Sequence, residues 1–292
     1  MFELKGAMVA IVTPFSKGKV DETKFRNLIK RQIDGGIDCI VPCGTTGEAA
    51  TLALDEYENV IGITADVCKG RVPVLAGAGT NNTKKVIELA NIAKNAGADA
   101  ILSVAPYYNK PTQEGLYQHY KTIAENVDIS VVLYNVPGRT SVNILPKTVV
   151  RLSEIGNIVG IKEASGSLNQ VSEIIENKKE GFNVISGDDF LTFPMMSIGA
   201  TGIISVTANV VPDLIAEQYD AIYASNFTRA KELHHKLFPL HQAMFYETNP
   251  IPVKTAVHLM GLIDEEFRLP LCRMGEDNKE KLKSLLKNMN LI

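Results

Sequence analysis

Cysteine is scarce in this chain, four residues in 292 (Cys39, Cys43, Cys68 and Cys272), and no pair has Cys-x-x-Cys spacing. A disulfide-built scaffold is thereby excluded, and reduced thiols in a cytoplasmic protein are expected. Cys39 and Cys43 lie in one strand-like run with no histidine nearby, so packing is a better reading for them than metal binding. The five histidines lack the spacing of a zinc-binding helix. Neither sign of charge dominates, with 30 basic against 33 acidic residues and a net charge of −3. No stripe of Lys or Arg could neutralise phosphates, so nucleic acid is not an expected partner. No export signal is expected either: Met1 to Phe15 carries Glu3 and Lys5 early and no small-residue cleavage site, and it reads as a first strand. The uncharged run Phe190 to Pro212 is long enough to span a bilayer, but Pro194, Gly199, Gly202, Ser205, Asn209 and Pro212 interrupt it. A buried helix followed by a buried strand is expected there, and no membrane contact.

Apolar residues at 45% and charged residues at 22% are those of a globular protein with a sizeable core. The length suits one large barrel domain with an appendage, or two ordinary domains. Short β-branched runs alternate with longer amphipathic stretches. Eight strands are predicted at Met8 to Val12, Cys39 to Cys43, Val72 to Ala76, Ala100 to Ala105, Ser130 to Tyr134, Ile158 to Lys162, Asn183 to Ser186 and Gly202 to Val206. Helices are predicted between them, for example at Asp21 to Asp34, Asp55 to Lys69, Thr83 to Ala96 and Pro146 to Glu154, each opened by a capping residue or proline. Nearly continuous apolar strands separated by helices imply a parallel sheet buried on both faces, and eight such units close a (β/α)8 TIM barrel. An open doubly wound sheet would place a Gly-rich dinucleotide turn after the first strand, where Thr13-Pro14-Phe15-Ser16 stands instead. After about Tyr223 only helical periodicity remains, at Thr228 to Tyr246, Pro252 to Met260 and Asn278 to Asn288. We expect a catalytic barrel over residues 1–224 and a C-terminal helical subdomain over 225–292 that packs directly on it.

Catalytic groups of such barrels sit at the carboxyl ends of strands, which makes Lys162 the foremost candidate. Alternation predicts Ile158, Gly160 and Lys162 on one face and Val159 and Ile161 on the other, with Gly160 leaving space below the lysine. The bland readings are an ion pair with Glu163 or a snorkelling side chain. The functional reading is a desolvated amine, neutral enough to attack a carbonyl. Imine chemistry then needs a hydroxyl relay and donors for the carboxylate of a keto acid. Tyr134, at the end of the fifth strand, can be a core aromatic or part of that relay. Gly44-Thr45-Thr46-Gly47-Glu48 can be an ordinary turn or an anion cradle. Nucleophile, relay and cradle at three strand ends together favour a site.

At these residues the sequence resembles the dihydrodipicolinate synthase and N-acetylneuraminate lyase family of class I aldolases over essentially its whole length. The resemblance rests on Gly44-Thr45-Thr46-Gly47-Glu48, Pro106-Tyr107-Tyr108-Asn109-Lys110-Pro111, Tyr134-Asn135-Val136-Pro137-Gly138-Arg139-Thr140, Gly160-Ile161-Lys162-Glu163 and Asn249-Pro250-Ile251-Pro252-Val253-Lys254, in that order. It implies a pyruvate Schiff base on Lys162 and a hydroxyl relay of Thr45, Tyr134 and Tyr108, the last from a neighbouring subunit. Thr45 and Thr46 would hold the pyruvate carboxylate, Gly187 and Ile204 would shape the pocket, and Asn249 would brace the site. Arg139, together with Thr46 and the Tyr107-Tyr108 pair, favours the synthase branch, in which this arginine binds the carboxylate of L-aspartate 4-semialdehyde. The implied reaction makes 4-hydroxy-tetrahydrodipicolinate on the diaminopimelate route to lysine, with no metal or organic cofactor. At least a dimer sharing Tyr108 is implied, and commonly a tetramer. Where lysine-inhibited members carry serine, two histidines and a glutamate, this chain has Ala49, Leu54, Tyr57 and Lys85, while Asn81 and Tyr107 remain; weak or absent feedback by lysine is expected. The rivals are another pyruvate aldolase, acting on sialic acid or a 2-keto-3-deoxy sugar acid, and a silent keto-acid binding protein on the same barrel.

Overall fold

The computed structural model describes residues 2–292; Met1, with which both the predicted barrel domain and the segment weighed as an export signal begin, lies outside the described residues. Eight parallel strands form one sheet: β1 (Gly6–Ala10), β2 (Cys39–Val41), β3 (Leu75–Gly77), β4 (Ala100–Val104), β5 (Ser130–Asn135), β6 (Ile158–Glu163), β7 (Asn183–Ser186) and β8 (Gly202–Ser205). Their order runs β2-β1-β8-β7-β6-β5-β4-β3. The ring closes between β2 and β3 through an isolated Ile40–Val74 bridge, with Ile40 N–H donating to Pro73 C=O at 3.2 Å and Gly77 N–H to Pro42 C=O at 2.9 Å. The ladder is short there because Pro42 and Pro73 have no N–H to give. This is the (β/α)8 barrel expected from the strand count.

Side chains alternate between two packing layers. Leu4, Met8, Val41, Leu102, Val132 and Ile185 fill the barrel interior, while Val9, Ile40, Ile101, Leu133 and Ile161 pack outward under the helices. Full burial of each such side chain contributes roughly 1.5–3 kcal/mol. Cys39 packs inside the barrel and Cys43 outside it, so the two thiols do not converge.

One expectation about facing fails. Ile158 packs outward with Ile161, and Val159 packs inward. The cause is an irregularity in the β5–β6 pairing: Val131 pairs with Ile158, the next residue Val132 pairs with Gly160, and Val159 is skipped. Such a bulge resets the period, so Gly160 and Lys162 still share a face although Ile158 does not. Beneath Lys162, a Cβ on Gly160 would lie 2.6 Å from Leu4 Cδ2 and 2.4 Å from Asn183 O, so only glycine fits.

Helix starts follow local chemistry. Asp21 caps the helix Glu22–Asp34 by accepting from Lys24 N–H, Pro146 opens Pro146–Ser153, and Asn82 rather than Thr83 caps the helix that starts at Thr83. The uncharged run resolves into helix Thr192–Ser197 and β8, and no described helix is long and apolar enough to cross a membrane. Beyond the last barrel helix, Pro212–Tyr223, come Phe227–Ala243, Ile251–Leu259 and Glu276–Asn288. A two-stranded hairpin, Phe15–Ser16 with Lys19–Val20, and a four-residue helix, Pro137–Thr140, were not expected from periodicity because each covers barely one repeat, too little for a period to show.

Candidate active site

Lys162 is the penultimate residue of β6, paired with Tyr134 on β5 and Ile185 on β7. Its side chain is inside the barrel, 5% exposed, with Nζ 4.4 Å from the centre of the Tyr134 ring. Burial pushes the amine down to about 8, against a partial upward pull from the carboxylates of Asp188 and Asp189 and a further push down from Arg139. Burial likewise drives the Tyr134 hydroxyl up to about 12 and the carboxyl of Asp188 up to about 6, the latter opposed by Lys162. The ion pair of Lys162 with Glu163 does not form. Glu163 points to the other side of the strand, accepting from Ser165 N–H at 2.7 Å, Asn135 Nδ2 at 3.0 Å and Gln170 Nε2 at 3.2 Å.

Gly187 follows β7 and makes room for the lysine. A Cβ there would fall 2.7 Å from Ala164 Cβ and 3.0 Å from Lys162 Cε, and the Gly187 N–H is already fixed to Glu163 C=O at 2.8 Å. Gly187→Ala is therefore expected to displace the lysine stem and slow carbonyl attack about 10²-fold, as a misplacement near 1 Å does. Rapid-quench trapping measures this directly, and a rate within threefold of the unsubstituted protein would contradict the packing argument. Ile204, fully buried, completes this wall from β8.

Across the mouth lies the turn after β2. Cys43 and Glu48, which bracket it, both adopt positive φ (+55° and +53°), a conformation that costs non-glycine residues energy and is kept only where neighbours enforce it. Thr13 Oγ1 donates to Gly47 C=O at 2.8 Å, and a Cβ on Gly77 would overlap Cys43 O at 2.0 Å. Thr46 is buried and accepts from Asn249 Nδ2 at 3.0 Å, so its hydroxyl proton is free to point elsewhere; Thr45 is exposed. Asn249 Oδ1 is buried without a partner, and Asn249 C=O accepts from Arg139 Nη2 at 3.1 Å. Arg139 is exposed, on the short helix after β5, near enough to push both Lys162 and Tyr134 down.

Lys162, Tyr134, Gly187 and Ile204 are thus gathered in the barrel, and Thr46, Asn249 and Arg139 form one hydrogen-bonded chain beside it. Tyr108 is not brought in: it is 89% exposed with φ +71°, on a tip tied down by Asn109 Nδ2 donating to Asn81 C=O at 3.0 Å. No hydrogen bond joins Thr45 or Tyr108 to Tyr134 or Lys162 among the described residues. Sequence reasoning missed Asp188, whose only signal is its place two residues beyond β7. It also left unassigned the buried ion pair between Glu48 and Lys254, although both stand in motifs it singled out. Among the described residues, no three His, Cys, Asp or Glu side chains come together as metal ligands.

Three comparisons bear on this site. The model of the dihydrodipicolinate synthetase family matches residues 3–289. The 4-hydroxy-tetrahydrodipicolinate synthase of Syntrophus aciditrophicus (strain SB) is 56% identical over 288 residues, covering 99% of each chain. Among solved structures, dihydrodipicolinate synthase from Aquifex aeolicus superposes with a TM-score of 0.97 at 47% identity, covering 99% of each chain. The chloride-inhibited dihydrodipicolinate synthase from Acinetobacter baumannii complexed with pyruvate does so with a TM-score of 0.97 at 48% identity, over 99% of this chain and 100% of that one.

Proposed function

The chain belongs to the dihydrodipicolinate synthetase family and is an enzyme of the class I aldolase type, and from that membership we propose that it condenses pyruvate with L-aspartate 4-semialdehyde to 4-hydroxy-tetrahydrodipicolinate, on the diaminopimelate route to lysine. The observation that carries the proposal is the buried, downshifted amine of Lys162 against the Tyr134 ring at the carboxyl end of β6. Lys162 Nζ attacks C2 of pyruvate, and the carbinolamine loses its hydroxyl as water with a proton delivered by the relay of Tyr134, Thr45 and Tyr108. The methyl group of the resulting imine gives up a proton to form an enamine, which attacks the aldehyde carbon. The amine of the second substrate then displaces Lys162 as the ring closes.

Thr46 suits the pyruvate carboxylate because its oxygen is occupied as an acceptor by Asn249, leaving the hydroxyl proton to donate. Gly187 and Ile204 shape the pocket floor. Arg139 faces solvent at the mouth and is assigned the semialdehyde carboxylate, with the unpartnered Asn249 Oδ1 as an acceptor for the same substrate. Tyr108 is assigned to the site of a neighbouring copy; a bulky residue at φ +71°, held away from its own chain, is in keeping with a dimer at least, and we extend this to a tetramer. Four free thiols suit a cytoplasmic setting, and no metal or organic cofactor enters these steps. Residues 1–224 are assigned to the barrel and 225–292 to the helical part.

The downshifted lysine has a pH consequence. At about 8, roughly one amine in ten is neutral at pH 7, against about one in 3,000 for a lysine at its ordinary value. Because only the neutral form attacks, imine formation at limiting pyruvate should rise about tenfold from pH 6 to pH 7 and level off above pH 8. A rate still climbing tenfold per unit beyond pH 9 would contradict the assignment.

Lysine is proposed not to act as a feedback inhibitor. Lys85 occupies a glutamate position and pairs with Glu88 at 2.9 Å, and the Tyr57 hydroxyl is committed to Gly77 C=O at 2.9 Å. A coupled assay with pyruvate and aspartate semialdehyde, beside parallel assays with sialic acid and 2-keto-3-deoxy sugar acids, tests the function. Activity confined to the sugar acids would overturn it, and inhibition by micromolar lysine in the first assay would overturn the insensitivity.

A further inference from the structure

We propose that Glu48 and Lys254 are positioning residues through which the C-terminal helices fix the shape of the Gly44–Gly47 turn, and with it the affinity for pyruvate. The inference rests on the reading that Thr45 and Thr46 hold the pyruvate carboxylate. Glu48 is the first residue past the turn and is held at φ +53° without being glycine. Its carboxylate binds Lys254 Nζ on the helix Ile251–Leu259 and accepts from Arg268 N–H at 3.2 Å. Lys254 Nζ also donates to Glu266 C=O at 2.8 Å and lies 4.4 Å from the Phe15 ring centre. The two charged side chains are 1% and 0% exposed.

A charge pair this deep is a poor source of net stability, because desolvating both ions cancels most of their attraction and an apolar pair of similar volume serves as well or better. What an ion pair adds over an apolar pair is direction. Here the directed contact is one of three that C-terminal residues make to the turn and the residues just after it. Asn249 holds Thr46, Lys254 holds Glu48, and Arg268 Nη1 donates to Thr51 C=O at 3.0 Å while pairing with Glu56. The turn and the residues just after it are anchored at positions 46, 48 and 51 by residues more than two hundred positions later in the chain. Neither Glu48 nor Lys254 is assigned a contact with substrate, so both act through the turn.

The test uses the full-length protein and measures the pyruvate concentration that half-saturates borohydride trapping, together with the saturating trapping rate and Tm. Lys254→Met should raise the half-saturating concentration about tenfold and leave the saturating rate within about threefold, the pattern of lost ground-state binding. The double substitution Glu48→Leu with Lys254→Met should recover Tm while the pyruvate requirement stays raised. Lys254→Arg, which keeps the charge in a wider planar head, should raise it about threefold. Half-saturation within twofold of the unsubstituted protein in every variant that folds would overturn the inference, as would recovery of affinity together with Tm in the double variant. If the unsubstituted protein is not trapped by pyruvate at all, the functional reading itself fails, which is a different result from trapping that the variants leave unchanged.

Discussion

Lys162→Ala is expected to lower turnover at least 10³-fold, about 4 kcal/mol of transition-state stabilisation, with the fold intact. Among the described residues only two lysines are buried. Lys254, the other fully buried lysine, is engaged by Glu48 and the Glu266 carbonyl and supports the turn instead. The fold should survive because burying the Lys162 amine is itself costly. Its folded-state value of about 8 lies below the ordinary 10.5, so the unfolded chain binds the proton more tightly. At pH 7 the group is protonated in both states and burial costs roughly 3 kcal/mol, a cost that fades as the pH rises from 8 to 10.5. Alanine removes that cost and leaves a small cavity in its place, two effects of opposite sign. Calorimetry at pH 7 should therefore find Tm within a few degrees of the unsubstituted protein, alongside the kinetic loss. A variant that is inactive only because it is unfolded would contradict the assignment.

Arg139→Ala should separate the two substrates. The arginine is exposed and uses one donor on the Asn249 carbonyl, so most of its fork remains for a carboxylate arriving from solvent. Losing a charged hydrogen-bonded contact of this kind costs about 3 kcal/mol, and kcat/KM for the semialdehyde should fall on the order of 10²-fold. Trapping with pyruvate alone should change less than about threefold, in the direction set by removing a cation that now depresses Lys162. Steady-state kinetics with each substrate varied in turn measures both effects. Equal losses for pyruvate trapping and semialdehyde use would remove the role given to Arg139 and reopen the question of the second substrate.

Much of this molecule was legible in the chain because barrel strands are buried on both faces. Apolar runs such as Ala100 to Leu102 and Ile158 to Ile161 have no polar face to mask them. Boundaries drifted where burial outlasts pairing. Ile11 and Val12 are as buried as β1 itself, yet the pairing runs out there, Ile11 N–H making a last bond to Val41 C=O and Val12 N–H turning to Asn209 Oδ1, so the first strand was predicted two residues late. The third strand was predicted three residues early because Val72 and Pro73 extend the apolar run while proline cannot donate to the ladder. The facing of Ile158 and Val159 was out of reach for a different reason. Their register is set by Val131 and Val132 on the neighbouring strand, and a single strand carries no record of that bulge.

The site divides in the same way. Lys162 and Tyr134 announce themselves as polar ends of apolar strands, and Gly44 to Gly47 as a turn built for close approach. Thr46, Asn249 and Arg139 become a connected chain only in three dimensions, across 203 positions in one step and 110 in the other. Glu48 and Lys254 could not be paired by reading along the chain either, being 206 positions apart. Glu163 could be misread as a partner of Lys162 because the two are adjacent in sequence, yet successive strand residues point to opposite faces.

One amine, that of Lys162, is proposed to carry the substrate. Incubation with pyruvate and borohydride, followed by proteolysis and peptide mass spectrometry, tests it directly. We predict a single reduced pyruvate adduct on the peptide containing Lys162, absent from the Lys162→Ala protein. An adduct on another lysine, or turnover of pyruvate and semialdehyde without an adduct, would contradict the account.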